Sequence, residues 1–387
     1  MTLIIDRIES PQALAALEPE WAALDATTSP RLPFSSPRWT RLWFRHFAED
    51  GALVHDRLSV RAVRTTGGEL VGVAPLLITE RPGVGPVHLR ELHPIGSDPN
   101  VTEVRGAVCK PGFEEPFTRA LIAQLLRERD EWDWLHLGGV REDGAAHHAL
   151  SDAFVLEQSA AVLDYVLPLP ATWEAFRAGL SRNMKEALRK CVNAPKRDGV
   201  ELTFRVEAQA GASIERFFTL HRARADSTDR KQHRDVFQST QARAFLHEYA
   251  AESAAAGELR VFELWSNERL VAVRVGFLLG RELYLYFSGE DPAFAKYSVL
   301  TRLVAASIEW AIVNGLALVN LSPGTDVSKT RWNPEAIPLL EVTAPAPSLL
   351  GPLARQLYRQ VEALRANESL RNSPLVRLVR RHPASQP

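Results

Sequence analysis

The sequence predicts an α/β protein with a duplicated hairpin–helix–strand module. Strand-like runs alternate with amphipathic helical stretches along most of the 387 residues. Each half carries a hairpin signal, two β-rich runs around a short polar turn. Gly68-Glu69-Leu70-Val71-Gly72-Val73 is echoed by Glu268-Arg269-Leu270-Val271-Ala272-Val273, and further on in each half a helix leads to a strand over a matching span. Thr118 to Leu137 spans 19 positions and Thr301 to Leu321 spans 20.

In chain order, Leu3–Ile8 reads as a strand. Ser10-Pro11 is a serine cap with proline in the first helical turn, opening a helix with Leu14, Leu17, Trp21 and Leu24 on one face. A second helix after Pro37 carries Trp39, Leu42, Trp43 and Phe47. Leu58–Val63 and Leu70–Ile78 form a hairpin around Thr66-Gly67-Gly68, and His88–His93 is a further strand. Phe117–Arg129 is a helix and Trp132–Leu137 a strand.

The second half is expected as strand 161–167, helices within Trp173–Cys191, strand Val200–Val206, and helices around 217–224 and 241–255. Three strands follow at 259–265, 270–279 and 282–287, turning at Asn267-Glu268 and Gly280-Arg281. A long helix over 295–313 stops at Asn314-Gly315, and strand 316–321 closes the module. Expected domains are 1–160, 161–345 and a helical tail 346–387, with Pro168 and Pro170 near the first junction.

Composition narrows the function classes. With 46 Lys+Arg against 47 Asp+Glu, net charge −1, 45% hydrophobic and 24% charged residues, the chain is neither disordered nor broadly polyanion-binding, and no DNA partner is expected. Two cysteines, Cys109 and Cys191, make no disulfide framework. Met1–Ser10 lacks a basic, apolar leader, and the apolar window 303–321 is broken by Glu309 and Asn314-Gly315. The expectation is a cytoplasmic protein without a membrane span. His147-His148 and His221 lack ligand spacing, so no metal is expected, and no G-x-S-x-G or phosphate-loop motif occurs.

The chemistry-bearing residues cluster in the second half. The aromatic run 282–287 passes through Ser288-Gly289-Glu290-Asp291-Pro292 into the long helix, where Lys296 and Ser298 add donors to the open N–H groups of the first turn. That junction suits a phosphate, and it equally suits an ordinary helix cap. After strand 316–321, Asp326, Lys329 and Arg331 either line a cleft or form a solvated loop beside Trp332. Between 181 and 198 stand six basic and two acidic residues, either an anionic-ligand face or a wet helix face.

On these motifs the second half resembles the CelD-type (cellulose-biosynthesis-protein-like) acyltransferases of the GNAT superfamily, relatives of the FemABX fold. The resemblance rests on Leu180-Ser181-Arg182-Asn183, Phe217-Phe218-Thr219-Leu220-His221-Arg222-Ala223-Arg224 and Gly257-Glu258-Leu259-Arg260. It extends through residues 286–299 (YFSGEDPAFAKYSV), Ile308-Glu309-Trp310-Ala311-Ile312 and Lys329-Thr330-Arg331-Trp332. It covers residues 160–335 well and the first half loosely. Leu300 stands where the family pattern has glycine, Asn320 where it has an acid, and Ser328 where it has tyrosine.

The resemblance implies two tandem GNAT-like modules, each a mixed, mostly antiparallel sheet flanked by helices. It implies acyl transfer from acyl-CoA, as co-substrate, or an acyl carrier protein, to a small-molecule amine acceptor. In that reading Phe287, Ser288, Lys296, Ser298 and Val299 hold the donor, and a backbone N–H near Phe287 polarises the carbonyl. Glu290 or Asp291 takes the amine proton, with His221 as a second base, and Tyr297 protonates the thiolate. Tyr286, Asn320, Asp326, Lys329, Arg331 and Trp332 shape the acceptor pocket. Two further readings are a FemABX-like transferase taking an aminoacyl group from tRNA and a catalytically silent GNAT scaffold.

Overall fold

Local sequence sets the helix ends in the computed structural model, which describes residues 2–83, 88–97, 100–142, 144–159, 161–227, 233–324, 326–348 and 350–366. Ser10 and Ser36 each cap a helix that opens with proline (Pro11–Asp25 and Pro37–Phe47), accepting from Ala13 N–H and Trp39 N–H. Ser181 caps Arg182–Arg197 through Met184 N–H at 3.2 Å. Ser181→Ala is expected to cost about 1 kcal/mol, read as a lower denaturant midpoint with unchanged slope.

The chain folds as two units, Met1–Thr28 with Phe34–Ala161 and everything from Leu339, and Ser29–Pro33 with Val162–Pro338. The division differs from the expected cuts at 160 and 345 because the strand Glu335–Pro345, which the sequence reading left out, pairs from Leu339 onward with Trp134–Arg141. The helix Gly351–Ala366 follows it, and Tyr358 stacks on Trp134 at 4.8 Å. The rest of the expected helical tail, 367–387, lies outside the described residues.

In the first unit the expected hairpin is bent in two. Leu70–Ala74 pairs with Val60–Thr65 in one sheet, whereas Leu76–Pro82 pairs with His55–Leu58 and His88–Pro94 in another. Pro75 at the bend has no N–H to give a ladder. Trp134–Arg141 then runs parallel to His88–Pro94, paired at Glu91↔Trp134 and Leu92↔Leu135. Glu114–Arg127 is the intervening helix.

The second unit repeats that order in one sheet: Thr203–Glu207, Leu259–Ser266, Arg269–Leu279, Glu282–Glu290, Leu318–Pro323, Val162–Pro168. All neighbours are antiparallel except Glu282–Glu290 with Leu318–Pro323. Each unit is therefore α/β, with sheets flanked by helices. The core of the second unit joins Leu283, Leu285, Val319, Leu321, Tyr165 and Leu167 to the helices Arg182–Arg197 and Val299–Val313. Strand alternation places Tyr284, Tyr286, Asn320, Asp164 and Val166 on the opposite face. There Gly211–Ala225 packs on the aromatic strand.

Three expected boundaries shift. The stretch 173–191 is two helices, Trp173–Gly179 and Arg182–Arg197, because Ser181 caps the second. The aromatic strand runs on to Glu290, so Ser288 to Glu290 are strand rather than turn. The expected helix start at 295 is a 3-10 turn, Pro292–Tyr297, and the α-helix begins at Val299 after Ser298 enters the left-handed region (φ 53°).

Candidate active site

The aromatic strand owes its position to a glycine turn and a bulge. Gly280, at φ 64°, lets the chain turn tightly between Leu279 and Glu282, which pair. Further along, Arg274 faces Ser288 while Gly276 faces Leu285, so the aromatic strand carries an extra residue at Tyr286-Phe287. Arg274 Nη2 donates to the Leu285 carbonyl at 3.0 Å. On the other edge the parallel pairing is Glu282↔Leu318, Leu283↔Val319 and Tyr284↔Asn320. Past that point the strands part, and Leu318–Pro323 stays with Val162–Pro168.

Past Tyr284 and Asn320 no pairing joins the two parallel strands, so beside the bulge the aromatic strand has no ladder partner on that edge. An extended amide-bearing chain fits such an edge by taking the hydrogen bonds a neighbouring strand would have taken. In the first unit the corresponding parallel pair also ends early, but there the backbone at Arg105 lies against Gly139. A Cβ on Gly139 would come 1.9 Å from the Arg105 carbonyl oxygen.

On the helix-bearing face His221 is buried. Its Nδ1 lies 2.9 Å from the Ser288 carbonyl, which only accepts, so Nδ1 donates and Nε2 keeps its lone pair. That Nε2 has no hydrogen-bond partner among the described residues and stands 3.8 Å from Asp235 Oδ1. Phe217, Phe237 and Phe287 surround the ring with centroids 5.3, 5.5 and 5.7 Å away. Burial holds the imidazole below its usual 6.5; the Ser288 carbonyl and Asp235 pull the other way. Arg224 donates to Ser288 Oγ at 3.0 Å.

Where the parallel pairing ends, Asn320 Nδ2 donates to Asp164 Oδ2 at 2.8 Å, and Asn320 Oδ1 accepts from Ser322 N–H at 2.7 Å. Ser322 sits at φ 66°, a left-handed conformation rare for serine. Lys329 Nζ donates to Ser322 Oγ at 2.7 Å and to the Pro323 carbonyl at 2.5 Å.

Other expected site residues are engaged elsewhere. Asp291 caps the 3-10 turn through Ala293 N–H at 3.0 Å, and its Oδ2 accepts from Arg269 at 2.6 Å. Tyr297 donates to Asp198 Oδ2 at 3.0 Å, which holds that carboxyl below the usual carboxylate range. Trp332 is buried in the core against Phe176, and Val299 is buried in the same core. Arg331 Nε lies against Met184 Sδ, and Asp326 caps Val327–Thr330 through Ser328 N–H. Glu290 is buried at the end of the aromatic strand. Lys296 lies over the Tyr297 ring.

No side chain caps the helix Val299–Val313, so its first N–H groups and positive dipole end remain open, with Ser298 exposed. Leu300 is half-buried against the core of this unit.

Sequence reasoning missed Asp164, Phe237 and Asp235. A signal existed for the first: Asp164 is a lone acid inside the apolar run Val162-Leu163-Asp164-Tyr165-Val166-Leu167. For Phe237 and Asp235 none existed, because only the fold brings the segment after Gly211–Ala225 back to His221.

Residues 181–330 match the family model of the acetyltransferase (GNAT) domain. Solved structures share the fold. FemX superposes with TM-score 0.60 at 11% identity, covering 92% of this chain and 99% of that one. A conserved protein of unknown function from Bacteroides thetaiotaomicron gives TM-score 0.52 at 14% identity, covering 88% and 100%. The C-terminal domain of a putative lysylphosphatidylglycerol synthetase from Agrobacterium fabrum gives 0.50 at 11%, covering 91% and 96%. No curated protein sequence matches the chain. The matched domain contains the aromatic strand, the helix after it, His221 and the parting strands. Among the described residues no helix is long and apolar enough to cross a membrane.

Proposed function

We propose that the second unit is a CelD-type N-acyltransferase working in the cytoplasm. It moves an acyl group from an acyl-CoA thioester to the amine of a small molecule or sugar by direct attack. One observation carries the reading: the parallel strands part after Tyr284 and Asn320, beside a bulge at Tyr286-Phe287. The donor's amide-bearing arm lies along the free edge of the aromatic strand. A backbone N–H near Phe287 polarises the thioester carbonyl. The open helix end with Lys296 and Ser298 takes the phosphates.

Among the four acid–base candidates, the geometry favours His221 as the group that takes the amine proton. Its Nε2 is a buried lone pair with no donor, whereas Asp291 already serves Ala293 and Arg269. Tyr297, held by Asp198, gives the proton to the departing thiolate, and Asn320 and Lys329 border the acceptor side.

The exposed basic residues of Arg182–Arg197 (Arg182, Arg189, Lys190, Lys196, Arg197) favour a second reading, an aminoacyl donor carried on tRNA. Thermal unfolding with CoA, acetyl-CoA, longer acyl-CoA thioesters and deacylated tRNA separates the two. A ligand at about 100 times its Kd adds about 2.7 kcal/mol of stability. The expected result is a raised midpoint with the CoA series. A shift with tRNA alone selects the second reading, and no shift with any CoA species defeats the first.

A further inference from the structure

Resting on the acyltransferase reading, we propose that Asp164 is the docking point for an N–H donor group of the amine acceptor. Asp164 is 2% exposed, and its Oδ1 meets no donor among the described residues. The Tyr165 N–H lies near enough to favour the charged carboxyl, yet no donor among the described residues meets hydrogen-bond geometry at Oδ1, and the neighbouring side chains are directed elsewhere. Asn320 Nδ2 goes to Oδ2, and Lys329 Nζ reaches Ser322 Oγ and the Pro323 carbonyl. A carboxyl oxygen buried without a donor is a standing penalty, and here it occurs in a strand whose other residues are apolar.

Place and chemistry agree. Asn320 is the last residue paired to the aromatic strand before the two strands part, and it is hydrogen-bonded to Asp164. Alternation puts both on the face that carries Tyr286 and the helix bearing His221. The backbone beside them is held in a left-handed conformation at Ser322, with Asn320 accepting its N–H. A carboxyl oxygen repels an anion, and no group of three His, Cys, Asp or Glu among the described residues could hold a metal. Oδ1 accepts from an O–H or an N–H, and of these a cationic amine also meets the carboxyl's charge, which is why the amine acceptor is the proposed ligand. Lys329 lies close enough to offset part of the carboxyl's charge without bonding to it. Burial pushes the Asp164 carboxyl up, so a donor arriving at Oδ1 stabilises the charged form that the empty site disfavours.

Two measurements test the assignment. The full chain, labelled with 13C at the aspartate side-chain carboxyls, is titrated with methylammonium chloride and with tetramethylammonium chloride at equal ionic strength. The resonance that disappears in Asp164→Asn is expected to move with the first salt and not the second. An equal response to both, or none, overturns the proposal. Steady-state thiol release from acetyl-CoA is then followed with glucosamine, ethanolamine or lysine as acceptor. Asp164→Asn, whose amide keeps the shape and the fold, is expected to raise KM for the amine about ten-fold or more. KM for acetyl-CoA stays unchanged and kcat stays close to that of the unaltered protein. An unchanged amine KM, or both KM values rising together, also overturns it. If the unaltered protein uses no thioester at all, the acyltransferase reading falls, and the role of Asp164 as an acceptor site falls with it. The carboxyl resonance then reports only whether Asp164 binds an N–H donor.

Discussion

Replacing His221 with asparagine is expected to lower kcat for acyl transfer by about 10²- to 10³-fold, while the protein stays folded. The two consequences separate because the ring does two jobs. Its Nδ1–H donates to the Ser288 carbonyl at 2.9 Å and so ties Gly211–Ala225 to the aromatic strand. The asparagine amide has an N–H at nearly that place. The other nitrogen, Nε2, has a lone pair and no donor, and nothing in asparagine replaces it. A purely structural histidine would show the reverse pattern, with a lower thermal midpoint and kcat within a few-fold of the original.

The pH profile gives a second check on the same residue. Burial lowers the His221 pKa below 6.5, and Arg224 adds to this. The Ser288 carbonyl and Asp235 oppose it. A base must be neutral to accept a proton, so the acid limb of kcat/KM is expected below pH 6.5, and it should be missing in His221→Asn. Stability follows with a definite sign. The unfolded chain takes the proton first, so this contribution is present above the unfolded value of 6.5 and is lost as the pH falls from there toward the lower folded value. Asp235→Asn removes one of the charges that favour protonation, so the limb is expected to move to still lower pH.

Much of the second unit was legible because its signals are local. The aromatic alternation of 282–287, the stop at Asn314-Gly315 and, in the first unit, the Ser10 cap each act within a few residues, and each is found in the structure. The bend at Pro75 lies inside what the sequence analysis takes as one strand, Leu70–Ile78. Only the structure shows that the two arms enter different sheets, since that depends on which strands lie beside them. Strand Glu335–Pro345 was missed because its partner, Trp134–Arg141, is some 200 residues distant in sequence and no turn links them. The site divides the same way. His221 and Asn320 were reached through the resemblance to the family pattern. The closeness of His221 to Asp235 and the bond from Asn320 to Asp164 are products of packing, which no spacing rule encodes. Likewise, spacing does not encode the cap that Asp291 makes on the 3-10 turn or the bond from Tyr297 to Asp198.

Gly289→Ala is expected to be the most damaging single-methyl change in the second unit, at about 3 kcal/mol of lost stability. A Cβ at Gly289 would stand 2.4 Å from the His221 N atom and 2.5 Å from the Leu220 carbonyl carbon. Those are backbone atoms of the helix Gly211–Ala225, so no side-chain rotation relieves the contact and the helix itself must move off the strand. Moving it lengthens the His221–Ser288 hydrogen bond and shifts Nε2 relative to the bulge at Tyr286-Phe287. Activity should therefore fall along with stability, and measurement below the new thermal midpoint should still find kcat reduced. Gly179→Ala is the matched control, because nothing lies within 4 Å of a Cβ there and the residue ends a helix. It is expected to be neutral or slightly stabilising. If Gly289→Ala unfolds at the same denaturant concentration as Gly179→Ala, the close approach of helix to strand is not what holds His221 in place.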